Sequence, residues 1–192
     1  MRRLITVCVL LLSMAGCGSE VTWQTKDISN LMPELGFTLT SEEGNTVTAE
    51  QFTDKVNLLF FGYTNCPDIC PITLGRLSSV IKRLPPDIAG QVRVLFVSVD
   101  PKRDNAESLR EYTSAFGENV VGLTGSKDQL DTLTRRYRTT YGYGEPDENG
   151  NYLVSHASAV YAFDTGGNAR LLIRSDDSLE AIAGDIVQLV QG

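Results

Sequence analysis

Histidine is nearly absent from this sequence, which has one histidine in 192 residues. A single imidazole excludes every site that needs two, including the two-histidine helix of zinc proteases and the Cys2His2 zinc finger. Basic residues are also in the minority, with 17 Lys and Arg against 24 Asp and Glu and a formal net charge of −7. Because binding to nucleic acid or to anionic lipid depends on clustered Lys and Arg, this balance argues against both partners.

No apolar run is long enough to span a bilayer comfortably, and the run at residues 4–14 is too short. It follows Arg2 and Arg3, and small residues come before Cys17, a pattern typical of secretion signals. The segment that ends at Cys17 resembles the lipobox of bacterial lipoproteins. This implies a signal peptide at residues 1–16 and lipidation of Cys17, which would anchor the chain to a membrane of the bacterial cell envelope, with its domain outside the cytoplasm. An uncleaved anchor or a plain secretory signal is the alternative.

Cysteine is scarce in the mature chain as well. Of four cysteines, Cys8 would be removed with the signal and Cys17 would carry the lipid, which leaves Cys66 and Cys70. Outside the cytoplasm a close pair of thiols is not kept reduced by default, so the pair is either a structural disulfide or a working site. The short loop between them favours the working site, because the stabilisation from a disulfide grows with the length of the loop it closes.

The remaining chain is predicted to form a tether at residues 17–32 and one domain at residues 33–192. Strands are predicted at residues 37–40, 46–48, 56–63, 92–99, 120–123, 155–163 and 169–174, and helices at 72–84, 104–116, 126–138 and 178–190. Asp104 and Ser126 are predicted helix N-caps, and residues 141–151 are predicted to be a loop. The alternation of strands and helices indicates an α/β fold with parallel central strands and a later antiparallel hairpin.

Cys66 and Cys70 lie where a buried strand gives way to a helix, which is where open α/β sheets place their sites. The helix N-terminus is expected to lower the thiol pKa there. Their spacing allows a disulfide or two sulfur ligands on one metal. With His156, the ligand set suits copper first and zinc second. A four-ligand structural zinc site is incomplete, because no third cysteine or second histidine remains.

Two carboxylates lie close to these residues in the sequence. Asp68 is between the cysteines, and Asp100 follows the second buried strand. Either side chain could orient His156 or tune the site. Helix capping and solvation are the alternatives.

Three segments resemble the Sco/SenC family of copper-binding, thioredoxin-fold proteins. They are Phe61-Gly-Tyr-Thr-Asn-Cys-Pro-Asp-Ile-Cys-Pro71, Val97-Ser-Val-Asp-Pro101 with Asp104, and Tyr152-Leu-Val-Ser-His156. The resemblance implies a thioredoxin-like fold over residues 33–192, with a central mixed β-sheet flanked by helices and an N-terminal β-hairpin. It also implies that Cys66 and Cys70 are the sulfur ligands and His156 the nitrogen ligand. Ser155 departs from the family pattern, which has Asp before the histidine.

The family's members are tethered to membranes and assist assembly of the dinuclear copper (CuA) centre of cytochrome c oxidase. The resemblance therefore implies three partners: the copper-bearing oxidase subunit, a thioredoxin-like reductant and a copper donor protein. Thiolates hold Cu(I), and an added imidazole accommodates Cu(II). A disulfide between Cys66 and Cys70 would remove both sulfur ligands and eject the copper.

Three hypotheses follow from the sequence. The first is a copper-binding assembly factor, or metallochaperone, without a turnover step of its own. The second is a thiol–disulfide reductase that uses Cys66 and Cys70 as a redox pair on partner cysteines. The third is a thiol peroxidase. We rank it last. Peroxiredoxins activate their cysteine with a threonine three residues before it and with an arginine, whereas Thr64 lies two residues before Cys66 and no arginine is near in sequence.

Overall fold

The computed structural model describes residues 22–192, so the predicted signal peptide and Cys17 lie outside the described residues. The strands are β1 Lys26–Asp27, β2 Thr38–Ser41, β3 Thr46–Thr48, β4 Val56–Gly62, β5 Val92–Ser98, β6 Val120–Thr124, β7 Tyr141–Tyr143, β8 Val154–His156, β9 Val160–Phe163 and β10 Ala169–Ile173. The helices are α1 Ile69–Ile81, α2 Pro86–Ala89, α3 Ala106–Ser114, α4 Lys127–Arg136 and α5 Leu179–Gln191. Within the described range, no helix has the length and apolar character needed to cross a membrane.

Eight of the strands form one mixed sheet in the order β1-β10-β9-β4-β5-β6-β2-β3. The three central strands β4, β5 and β6 are parallel, and β9 pairs antiparallel with β4. The N-terminal hairpin of β2 and β3 extends the sheet by pairing with β6. The predicted α/β fold, with a central mixed sheet, flanking helices and an N-terminal hairpin, is therefore confirmed.

Strand β4 is buried along its whole length. Leu58 and Phe60 point to the face covered by α1, α3 and α5, whereas Leu59 and Phe61 point to the face covered by α4. A strand covered on both faces needs apolar residues at every position, which explains the unbroken apolar run in the sequence. Pairing with β5 continues to Gly62, so the end of β4 is held rigidly where the cysteine segment begins.

The predicted strand at residues 155–163 is instead two strands in different sheets. β8 pairs with β7 in a separate two-stranded sheet, and β9 joins the main sheet. The predicted loop at residues 141–151 therefore starts with a strand. The pairing of β9 with β4 extends from Phe163 to Val160, which lies opposite Phe60. The residues before Val160 are not paired with β4, and His156 lies beside the cysteines. The sequence pattern of residues 155–163 cannot reveal that the chain changes sheet there, because the residues of β8 and β9 are both typical of strands.

Asp104 is not the cap of α3, as the sequence predicted. Asn105 is the N-cap, and its side chain accepts the Ser108 amide at 3.0 Å. Asp104 is 2% exposed and accepts hydrogen bonds from Ser98 and Thr64. A buried carboxylate needs several donors, and the end of β5 and the segment before Cys66 supply them. Ser126 does cap α4, as predicted, by accepting the Gln129 amide.

Part of the stretch predicted as a tether packs against the domain. Lys26 and Asp27 pair with Leu172 and Leu171 of β10. The buried carboxylate of Asp185 in α5 accepts the backbone amides of the two residues before β1 and the Thr25 hydroxyl, the last at 2.7 Å. Asp185 is 1% exposed, and these donors supply the hydrogen bonds that its buried carboxylate needs. This requirement explains why the residues before β1 pack against the domain.

Helix α1 allows a matched test of the core. Leu74 is 0% exposed, and replacing it with alanine should lower the free energy of unfolding by about 2–5 kcal/mol, because a cavity remains. Ile72 on the same helix is 57% exposed, and Ile72→Ala should change stability by about 0.5 kcal/mol or less. Urea unfolding of both variants measures the difference. Equal losses would show that α1 is not packed as described.

Candidate metal centre

The end of β4 and the start of α1 position the two cysteines. Cys66 lies in the connecting segment, where its amide donates to the Tyr63 carbonyl at 3.2 Å. Cys70 is the second residue of α1, and its amide points at the Cys66 sulfur at 3.5 Å. A free amide at a helix N-terminus is a favourable neighbour for a sulfur that carries negative charge. Cys70 is fully buried and Cys66 half-buried, so the two thiols differ in access to solvent.

His156, the last residue of β8, completes a three-residue group. Its Nε2 atom is 3.7 Å from the Cys66 sulfur and 3.4 Å from the Cys70 sulfur. The three atoms lie within 4.8 Å of one another, close enough to share one metal ion. Two sulfurs and one imidazole nitrogen are the donor set of a soft or borderline metal.

The His156 ring is held in the form that can bind metal. Its Nδ1 atom is 3.1 Å from the Ala157 carbonyl oxygen, which can only accept, so Nδ1 carries the proton. Burial lowers the pKa of His156 and favours the neutral ring. The lone pair is therefore on Nε2, which faces the two sulfurs. The rings of Phe60 and Tyr63 pack against the imidazole, with centroids 5.9 and 5.8 Å away.

The predicted fall in thiol pKa at the helix N-terminus does not hold for Cys70. Burial raises the pKa of the Cys70 thiol far above its usual value. Desolvation disfavours the thiolate more strongly than the nearby helix terminus favours it. Without a metal the thiol therefore stays protonated, and metal binding must displace this proton.

Gly62 makes the close packing of Cys70 feasible. A Cβ atom at Gly62 would lie 2.5 Å from the Cys70 sulfur and 2.6 Å from the Phe96 ring. No side chain fits in this space, so the last residue of β4 has to be glycine. The strand end, the Phe96 ring and the buried sulfur thus fix one another's positions.

The two carboxylates suggested by the sequence lie in different places. Asp68 precedes α1, is exposed, and forms no side-chain cap hydrogen bond. Asp100 is 0% exposed, pairs with Arg103 and accepts the Tyr152 hydroxyl at 2.8 Å. Asp100 therefore contacts the segment that leads to His156. Ser155 is exposed, and its hydroxyl donates to the Gly142 carbonyl.

At this end of the sheet, sequence reasoning missed Arg103 and gave Asp104 a different role, that of a helix cap. Asp104 accepts the Thr64 hydroxyl at 2.6 Å and the Thr64 amide at 2.9 Å, which fixes the segment two residues before Cys66. Arg103 contacts Tyr152 across the chain. Asp104 belongs to the segment after β5 that the resemblance included, and Arg103 directly precedes it, but a sequence does not show which partners such residues find.

Family comparison agrees with this arrangement. Residues 29–191 match the family model described as SCO1/SenC. The chain belongs to the SCO1/SenC family. It is 34% identical over 142 residues to the human mitochondrial SCO1 homolog, a match covering 70% of this chain and 46% of the relative. This SCO1/SenC chain thus spans about half the length of the curated relatives it matches.

Solved structures of SCO1/SenC proteins share the fold. The apo Sco1 protein from Thermus thermophilus is 34% identical, with a TM-score of 0.77, and the match covers 90% of this chain and 100% of that one. Arabidopsis thaliana ScoI, solved with copper bound, is 30% identical, with a TM-score of 0.74 and coverage of 82% and 98%.

The packing at Gly62 can be tested without metal. Gly62→Ala should push the Cys70 sulfur from its place, lower the free energy of unfolding by about 1–3 kcal/mol, and speed alkylation of Cys70 by iodoacetamide. Gly75→Ala in α1 is the matched control, because its Cβ would meet nothing within 4 Å. That variant should gain up to about 1 kcal/mol. Unchanged Cys70 alkylation in Gly62→Ala would contradict the close contact.

Proposed function

We propose that this chain is a copper-binding metallochaperone that acts in assembly of the CuA centre of cytochrome c oxidase. The observation that carries the proposal is the convergence of the Cys66 and Cys70 sulfurs and His156 Nε2 within 4.8 Å. Family membership supports it, as does the copper held by the Arabidopsis relative. Copper is the cargo in this proposal, so the chain needs no turnover step of its own.

The donor set accommodates both oxidation states of copper. The two thiolates suit Cu(I), and the imidazole adds a donor that Cu(II) also accepts. Three ligands leave a coordination position for an incoming ligand. Cys66 and His156 are only half-buried, so a partner's ligand can approach from solvent. These features favour transfer over permanent storage.

Thiol chemistry is coupled to metal loading in this proposal. When the copper-bound thiolates of Cys66 and Cys70 are oxidised by a protein disulfide, one S–S bond forms between them and two electrons pass to that disulfide, which takes two protons from solvent and becomes a dithiol. Both sulfur ligands are then lost, and copper is released. A thioredoxin-like protein would return the electrons and restore the site. A copper donor protein and the copper-bearing oxidase subunit complete the set of partners.

The location proposed for the protein is the bacterial cell envelope. The N-terminal pattern supports a signal peptide at residues 1–16 and lipidation of Cys17. The thiol pair is consistent with a domain outside the cytoplasm, where an external reductant has to maintain it. Residues 33–192 form the working domain in this proposal, with β1 packed on its sheet, and the chain before the packed residues connects it to the membrane.

Copper titration of the reduced protein beside His156→Ala tests the site. We expect one copper per chain and an intense sulfur-to-Cu(II) charge-transfer band. His156→Ala should lower the Cu(II) affinity by more than about 100-fold. Loss of a residue that only hydrogen-bonds to a metal ligand costs about 10- to 100-fold, and loss of the ligand itself should cost more. Its Cu(I) affinity should fall less, because the two thiolates remain.

Unfolding of the apo variant is the control, since the ring's loss should leave the fold intact. Cys66→Ser should weaken the charge-transfer band even though His156 is intact, because the substitution removes one of the two sulfur ligands. Weak copper binding that is unaffected by His156→Ala would make the histidine structural and would contradict the three-ligand site.

A thiol–disulfide reductase is the second candidate, and the unequal exposure of the two thiols favours it. The half-buried Cys66 thiolate could attack a partner's disulfide, and the buried Cys70 could then attack Cys66 and release the partner's dithiol. A Cys66–Cys70 disulfide remains, with two electrons passed to the partner. The peroxidase hypothesis gains no such support, because the Thr64 hydroxyl is hydrogen-bonded to Asp104.

The requirement for His156 distinguishes the reductase hypothesis from the metallochaperone hypothesis. Reduction of a disulfide-linked peptide should be abolished in Cys66→Ser and retained in His156→Ala, because only sulfur takes part in the exchange. Peptide thiols released per minute are measured with the protein kept reduced by a thioredoxin system. Equal loss of reduction in the two variants would rule out a reductase that works without His156.

A further inference from the structure

His156 lies on a hairpin that is not part of the main sheet. β7 and β8 pair only with each other, through contacts such as Tyr141 with His156. The backbone ladder therefore does not fix the distance between this hairpin and the cysteine segment. Side-chain contacts to the end of β5 have to do so. One of these contacts is the hydrogen bond from the Tyr143 hydroxyl to the Val99 carbonyl at 2.8 Å.

The other contacts meet at Arg103. Its Nε donates to the buried carboxylate of Asp100, and Nη1 donates to the Tyr152 carbonyl at 2.9 Å. The guanidinium stacks on the Tyr152 ring, with its central carbon 3.7 Å from the ring centroid. The Tyr152 hydroxyl donates to the same Asp100 carboxylate at 2.8 Å. Tyr152 is thus held through its ring, its hydroxyl and its backbone, four residues before His156.

Arg103 also reaches the cysteine side of the centre. Its guanidinium carbon is 5.4 Å from the Tyr63 ring centroid. Tyr63 packs edge-on against His156 and accepts the Cys66 amide through its carbonyl. The one cation therefore contacts the segment that carries Cys66 and the segment that carries His156.

The guanidinium occupies this position at a cost. Its Nη2 atom is buried and has no hydrogen-bond partner among residues 22–192. A buried donor without a partner is unfavourable and is retained where geometry matters. A lysine could keep the charge but not the planar fork that binds Asp100 and the Tyr152 carbonyl while stacking on a ring.

We propose that Arg103 is a positioning residue that holds His156 over the two cysteine sulfurs. It acts through Tyr152 and Tyr63, anchored by Asp100. This inference concerns the geometry of the three ligands, and it rests on the proposed function only for the identity of the metal.

The apo protein allows a test that needs no copper. Because His156 is the chain's only histidine, its ring protons give one assignable set of NMR signals. In the folded protein we expect them to be shifted by the rings of Phe60 and Tyr63, which pack against the imidazole. We expect Arg103→Lys to move them toward the positions of free histidine or to broaden them. Unmoved ring signals in Arg103→Lys would overturn the proposal.

Arg93→Lys is the matched control. Arg93 also stacks on a ring, with its central carbon 5.0 Å from the Phe52 centroid, and pairs with Asp54 at 3.4 Å. It lies near the start of β5, at the other end of the strand from the metal centre. We expect Arg93→Lys to leave the His156 signals unchanged. Equal shifts in the two variants would mean a general loss of packing and would also overturn the proposal.

A double-mutant cycle with copper gives a second measurement. Arg103→Lys should lower Cu(II) affinity by about 10- to 100-fold and weaken the imidazole nitrogen coupling in the EPR spectrum. Combined with His156→Ala, the same substitution should have little further effect, because its action passes through the ring. An equal loss of affinity in both backgrounds would overturn positioning through His156.

Two further outcomes separate this proposal from the proposed function. If the unaltered protein bound no copper while the NMR shifts followed the prediction, the copper function alone would fail. If Arg103→Lys did not fold, Tyr152→Leu would serve instead, because it removes the stacked ring and the hydroxyl and should move the same His156 signals.

Discussion

The burial of β4 on both faces is the constraint on which the metal centre depends. The strand pairs with β5 on one side and with β9 on the other, and this pairing inside the buried core fixes the position of its last residue. The cysteine segment and the start of α1 are built from that point. Gly62 then admits the Cys70 sulfur beside Phe96, at a distance that any larger residue would prevent.

Burial also sets the charge of the centre before metal arrives. Cys70 is held as a neutral thiol and His156 as a neutral ring, so the empty centre places little charge in the protein interior. A bound cation changes this balance, because it stabilises the thiolates that burial disfavours. Loading therefore releases protons, and the affinity for metal should increase with pH.

The sequence predicts the central strands, α4 with its cap and the cysteine segment, because these depend on local patterns of apolar and capping residues. The pairing of His156 with the cysteines was available through the family resemblance. The division of residues 155–163 between two sheets, the burial of Asp104 and the contacts of Arg103 were not available. Arg103 meets Tyr152 from 49 positions away, and only the folded chain brings such residues together.

The edges of the large sheet have a consequence for how the molecule behaves beside its own copies. One edge strand, β1, has two residues, both charged, and the other, β3, has three. A row of unpaired backbone groups on a long edge is a template for another chain, and short polar edges remove it. Both edges of the described sheet therefore offer little backbone for pairing with a strand of another copy, which disfavours edge-to-edge association of crowded molecules.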